Sequence, residues 1–137
     1  MVRVVLDTNI LVSALLTPKG NPARIIDLAA EGALGPILSP AILAEYQNVL
    51  VRKKFGFTSH SVKMILDSLK RISVEVVPSE SIHVCWDSAD NKFVECAAAA
   101  GADFLITGNQ RHFPKQFKSV RIVSPSEFLK SIGLPDR

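Results

Sequence analysis

An α/β fold with a mainly parallel sheet is what this chain predicts, on three observations. Short apolar runs such as Val4-Val5-Leu6 and Phe104-Leu105-Ile106 are too short for helices and rich in strand formers. They are apolar throughout rather than alternating, as in parallel strands covered on both faces. Between them lie amphipathic helical stretches, several opened by a capping residue followed by proline. Strands alternating with helices give a parallel sheet joined by crossovers.

The elements follow in order. After the first strand an apolar stretch runs to Leu16 and breaks at Thr17-Pro18-Lys19-Gly20. Asn21-Pro22 reads as N-cap and first-turn proline of a helix that Gly32 closes. Pro36-Ile37-Leu38 is a second short strand, and Ser39-Pro40 repeats the cap-and-proline signal. Ile42, Tyr46, Val49 and Leu50 then form a helical stripe that fades near Lys54. Past Gly56, Thr58 or Ser59 opens a helix with the stripe Val62, Ile65, Leu66 and Leu69, ending near Ile72. Val74-Glu75-Val76-Val77 is a strand stopped by Pro78. A loop through Cys85-Trp86 reaches Asp87, and a helix fills Ser88 to Ala100, with Gly101 as a left-handed C-cap. Strands over 104–106 and 120–123 follow, then a Ser124-Pro125-Ser126-Glu127 capping box and a short helix stopped by Gly133 and Pro135.

Composition narrows the function classes. At 137 residues the chain is about one domain, 1–137, with no repeat or linker. With 47% apolar and 21% charged residues it is an ordinary folded composition. No apolar run approaches the ~20 residues of a bilayer span. Asp7 and Asn9 interrupt any signal-peptide pattern at the N-terminus. Cys85 and Cys96, with His60, His83 and His112, are too few for a Cys/His zinc framework. Free thiols in a reducing cytoplasm are the expectation. The net charge of +3 permits a nucleic-acid partner without demanding one.

The chemistry points to carboxylates. Asp7 stands where the first strand leaves the sheet, at the mouth of the crevice where open α/β folds bind ligands. An ionised Asp beside an apolar core must be solvated, paired or bound to a metal. Glu45 lies three positions after Ile42, about 60° around its helix, so it can point along the core boundary. Asp87 and Asp90 flank Ser88-Ala89 at a helix start, where one carboxylate caps and two exceed the need. Like charges ~4 Å apart repel by about 4 kcal/mol at an effective dielectric of 20. If Asp7, Glu45 and Asp90 converge, a hard divalent cation with oxygen ligands relieves that repulsion. Glu95, about 140° around from Asp90, faces elsewhere, and Asp103 has a turn or helix-end role. Trp86 and Phe113 could stack a base, although a lone aromatic more often packs.

The ordered motifs Val4-Val5-Leu6-Asp7-Thr8-Asn9, Ser39-Pro40-Ala41-Ile42-Leu43-Ala44-Glu45, Asp87-Ser88-Ala89-Asp90-Asn91-Lys92-Phe93 and Ala102-Asp103-Phe104-Leu105-Ile106-Thr107-Gly108 resemble PIN-domain nucleases. The branch they most resemble comprises VapC-like toxins of toxin–antitoxin pairs, from Val2 to about Leu129. The resemblance implies a three-layer α/β/α fold of Rossmann-like topology and a Mg²⁺- or Mn²⁺-dependent ribonuclease. Asp7, Glu45 and Asp90 would be its catalytic and metal-binding acids, with Asp87 an outer or alternative ligand. Asn9 and Thr107 would orient carboxylates or waters. Asn109 stands where PIN domains often carry a fourth acid, so one metal is better founded than two. Arg111, His112 and Lys115 are RNA-contact candidates, His112 also as an acid near neutral pH. An antitoxin partner and a homodimer are further implications.

Two other functional classes compete with this one. A phosphoacceptor reading of Asp7 lacks the second Asp two residues on, where the chain has Asn9, and no glycine-rich phosphate loop follows a strand. A PIN-like domain that binds RNA or protein without cutting is the rival, and Asn109 supports it.

Overall fold

The computed structural model describes residues 1–134. The strands are β1 (Val2–Leu6), β2 (Leu34–Leu38), β3 (Val74–Glu75), β4 (Phe104–Ile106), β5 (Gln116–Phe117) and β6 (Val120–Val123). The helices are α1 (Thr8–Leu16), α2 (Asn21–Ala30), α3 (Pro40–Leu50), α4 (Ser59–Ile72), α5 (Asn91–Ala100) and α6 (Pro125–Ser131). The strands form one sheet in the order β3-β2-β1-β4-β6-β5. All pairings are parallel except the β5–β6 hairpin. The expected three-layer α/β/α architecture is what the chain adopts.

This order positions the site. The crossovers β1→β2 and β2→β3 step one way across the sheet, and β3→β4 steps back. With right-handed crossovers, α5 then covers the face opposite α1 to α4. The reversal falls between β1 and β4, which makes their C-terminal ends the topological switch point. Val4 and Val5, adjacent in β1 and pointing to opposite faces, are both fully buried, so the central strand is covered on both sides.

Local signals are used largely as expected. Ser39 caps α3 by accepting from the Ile42 amide, and Thr58 caps α4 by accepting from Ser61. The Ser124–Glu127 capping box is complete, and Gly101 takes the left-handed conformation, φ 62°, that ends α5. Several boundaries differ from the sequence reading. The stretch after Asn9 belongs to a helix, α1, which buries Ile10, Leu11 and Ala14 and leaves Leu16 exposed. Gly20, rather than Asn21, occupies the N-cap of α2. Only 74–75 of the 74–77 strand pairs as a strand, with the Val76 amide adding one bond to the Leu38 carbonyl. The Ser88–Ala100 helix divides into a 3₁₀ turn at Ser88–Asp90 and α5. Strand β5 has no counterpart in the sequence reading. Gly133 terminates the last helix with φ 83°, and Pro135 lies outside the described residues. Cys85 and Cys96 are free thiols. Among the described residues no helix is long and apolar enough to cross a membrane.

Candidate active site

Asp7 follows β1 and stands at the N-cap position of α1, yet its carboxylate makes no capping bond to that helix. Its amide is held by the Ile106 carbonyl of β4 at 3.0 Å. Its Oδ2 accepts from the Thr107 hydroxyl at 2.7 Å and from Asn9 Nδ2 at 3.3 Å. Thr107 Oγ1 in turn accepts from the Asn109 amide at 3.0 Å, and Asn9 Oδ1 accepts from the Gly108 amide at 3.1 Å. The residues immediately after β1 and β4 are thus laced together across the switch point. Asn9 and Thr107 thus both donate to the same oxygen of the Asp7 carboxylate. Asn109 joins this network through its main chain.

Glu45 reaches the same rim from α3. Its two oxygens are both engaged: one accepts from the Thr8 hydroxyl, the other from Lys92 Nζ at 2.5 Å. Lys92 also donates to the Ala89 carbonyl at 2.6 Å, which ties the 3₁₀ turn to α3. Tyr46, the next residue of α3, is buried and donates its hydroxyl to the Leu6 carbonyl at 2.5 Å. Asp90 ends the 3₁₀ turn at the N-cap position of α5, with its carboxylate 3.9 Å from His112 Nδ1. Asp87 caps the 3₁₀ turn by accepting from the Ala89 amide at 2.9 Å, the capping role that one of the two aspartates was expected to fill.

The electrostatics follow from this crowding. Burial pushes the Asp7 carboxyl up to about 6, and repulsion from Asp90 and Glu45 adds to the effect while the Thr107 hydrogen bond opposes it. Burial likewise raises Asp90, reinforced by Asp87 and Glu45 and countered by His112 and Lys92. Tyr46 is raised well above its ordinary value by burial, with Asp7 and Glu45 contributing. The carboxylates from β1, α3 and the start of α5 therefore feel one another. Among the described residues, no three His, Cys, Asp or Glu side chains stand close enough to hold a metal ion in this arrangement. Lys92 supplies the nearby positive charge at Glu45. The donor set itself is all oxygen, which is the chemistry Mg²⁺ and Mn²⁺ select.

The remaining candidates divide clearly. Arg111 and His112 lie on an exposed 3₁₀ turn, Gln110–His112, beside Asp90. Lys115 is exposed further on, where its carbonyl accepts from Ile122, and no ion pair ties it to the carboxylates. Glu95 turns away as expected and accepts from the Ile82 amide at 3.0 Å. Asp103 accepts from the Arg3 amide at 2.9 Å at the other end of the sheet. Phe113 is buried, whereas Trp86 is largely exposed to solvent. Sequence reasoning gave no role at the site to Asn91, Lys92 or Thr8, and placed Tyr46 only in the apolar stripe of its helix. Asn91 is buried, and its Oδ1 accepts from the amides of Val84 and Cys85 at 3.1 and 3.0 Å, fixing the loop ahead of Asp87.

Comparison with known proteins decides the family. The PIN domain family model matches residues 3–111. This chain belongs to the PIN domain family. PIN domains are in general nucleases that use divalent metal ions. This one is 33% identical over 142 residues to the uncharacterized protein MJ1680 of Methanocaldococcus jannaschii, covering 94% of this chain and 90% of that protein. It is also similar in fold to VapBC2 from Rickettsia felis, whose crystal structure holds a DNA fragment from their promoter. The TM-score is 0.58 at 19% identity, over 89% of this chain and 98% of that one.

Proposed function

We propose that this PIN domain is a Mg²⁺- or Mn²⁺-dependent endoribonuclease and the toxin of a toxin–antitoxin pair. The reading is supported by the burial that raises Asp7 and Asp90, to which repulsion from neighbouring carboxylates including Glu45 adds, in a chain of a nuclease family. Asp7 and Asp90 would hold the metal, with Asp87 as an outer ligand. Glu45 would ligate it or position the attacking water. When bound, the metal would activate that water and neutralise charge on the phosphoryl group. Thr107 and Asn9 keep the Asp7 carboxylate aimed, and Asn109 adds no charge, which favours one metal over two.

Arg111, His112 and Lys115 would meet the RNA backbone. Residues 1–137 would act as one PIN-like domain, in the cytoplasm, as a homodimer whose carboxylate cleft an antitoxin covers. The likeness to the fold of VapBC2 supports an antitoxin partner.

Purified protein incubated with structured and single-stranded RNA tests the reading. Cleavage in Mg²⁺ or Mn²⁺ that EDTA abolishes supports it. Absence of metal-dependent cleavage, with RNA still bound, supports instead the non-cutting domain that Asn109 favours.

A further inference from the structure

Trp86 is the chain's single tryptophan and is 85% exposed. An indole ring carries a large apolar area that folds ordinarily bury, so leaving it in water needs an explanation. Mobility is not the explanation, because the main chain on both sides is fixed. The Val84 and Cys85 amides donate to buried Asn91, and the Trp86 amide donates to the His112 carbonyl at 2.9 Å. The next residue, Asp87, is locked by its bond to the Ala89 amide. A rigid frame therefore holds an unpacked ring beside the carboxylate cluster.

What surrounds the ring distinguishes possible occupants. Across the Trp86–His112 hydrogen bond lies the exposed turn carrying Arg111 and His112, and His112 is 3.9 Å from Asp90. Within a few residues the chain thus presents a flat aromatic face, the Arg111 guanidinium and His112 imidazole as donors suited to phosphates, and the candidate catalytic acids. That combination is how single strands are bound: bases stack on aromatic rings while cations track the backbone. A protein-binding hot spot would instead sit in a broad desolvated apolar setting, whereas beside Trp86 only Val84 adds exposed apolar surface, and Asp87 and the Arg111 turn are charged. A duplex keeps its base faces stacked and has none to offer.

We propose that Trp86 is a stacking platform for an unpaired base of single-stranded RNA, fixing that strand relative to the carboxylates. The identity of the strand rests on the nuclease reading, but the two fail separately.

Because Trp86 is the only tryptophan, intrinsic fluorescence reports on this position alone. Full-length protein is mixed with a short mixed-sequence single-stranded RNA, and with the matched duplex, in Mg²⁺ and again in EDTA. The single strand should quench the fluorescence and the duplex should not. Trp86→Ala should bind the single strand about tenfold more weakly, and Trp86→Phe should recover most of the loss. Circular dichroism checks that both variants fold, as an exposed ring permits. Quenching and weaker Trp86→Ala binding without any cleavage would keep this inference and overturn the nuclease reading. Cleavage of single-stranded RNA by Trp86→Ala with an unchanged KM would do the reverse. Binding without quenching, no binding, or quenching seen only with a co-purified protein partner would overturn the inference.

Discussion

The Thr107 hydroxyl donates to Asp7 Oδ2 at 2.7 Å, joining residues one hundred positions apart at the ends of β4 and β1. It is the shortest tie across the point where the sheet's connections reverse. Thr107 is itself fully buried, and its oxygen also accepts from Asn109. One side chain therefore satisfies a loop amide and aims a carboxylate. Thr107→Val keeps the shape and removes both functions. It should cost about 1–3 kcal/mol in urea denaturation. It should also raise the Asp7 carboxyl further, since this bond lowers it, and so move the acid limb of any activity profile to higher pH.

Asp7→Asn tests the strain of the cluster through stability. The Asp7 carboxyl is raised from 3.8 to about 6, so the folded state binds its proton more tightly than the unfolded chain does. Ionised Asp7 then destabilises the metal-free protein above about pH 6, and stability from this group returns as pH falls toward 3.8. An asparagine keeps an acceptor for Thr107 and carries no charge. At pH 8 without metal, Asp7→Asn should be more stable by up to about 3 kcal/mol. The gain should vanish below about pH 4, as chemical denaturation at several pH values would show.

Divalent metal should reverse that ranking. A cation bound to the folded state alone stabilises it in proportion to the logarithm of its concentration. Mg²⁺ or Mn²⁺ should raise the Tm of the wild type and leave Asp7→Asn nearly unmoved. The shift should shrink as pH drops through about 6, where protons compete for Asp7. A Tm series with and without EDTA reads this directly.

Lys92→Gln should expose the role of the internal cation. Lys92 and Glu45 form a partly buried pair at 2.5 Å, each with 23% of its side chain exposed. Losing the charge should destabilise the metal-free protein by about 1 kcal/mol and enlarge the metal-induced rise in Tm. An unchanged metal response would mean that Lys92 does not stand in for a cation at Glu45.

Asn91→Ala should loosen the loop rather than the fold. It strips the acceptor from two amides, Val84 and Cys85. A cost of about 1–3 kcal/mol is expected, with faster hydrogen exchange confined to residues near Cys85 and Asp87.

Much of this architecture was legible because its signals are local. The apolar run ending at Asp7, the caps at Ser39 and Thr58, and the Ser124–Glu127 box each declare an element within a few residues. Helix α1 was missed because Ile10 to Leu16 is apolar except for Ser13 and lacks a readable period. The β5–β6 hairpin was missed because its turn uses Lys118 at φ 52°, where glycine or asparagine would have announced it. At the site, residue types and order pointed to Asp7, Glu45 and Asp90. The pairing of Lys92 with Glu45 spans 47 positions, so no spacing rule reveals it. Trp86 and Phe113 looked equivalent as lone aromatics; only packing separates the exposed ring from the buried one.

The most direct measurement is the rate of RNA cleavage by the wild type, Asp7→Asn and Asp90→Asn in Mg²⁺ or Mn²⁺. The expected result is cleavage by the wild type alone, abolished by EDTA, with each variant slower by about two orders of magnitude or more. Variants that cut as fast as the wild type, or cleavage that survives EDTA, would contradict a metal-dependent carboxylate centre at the end of β1.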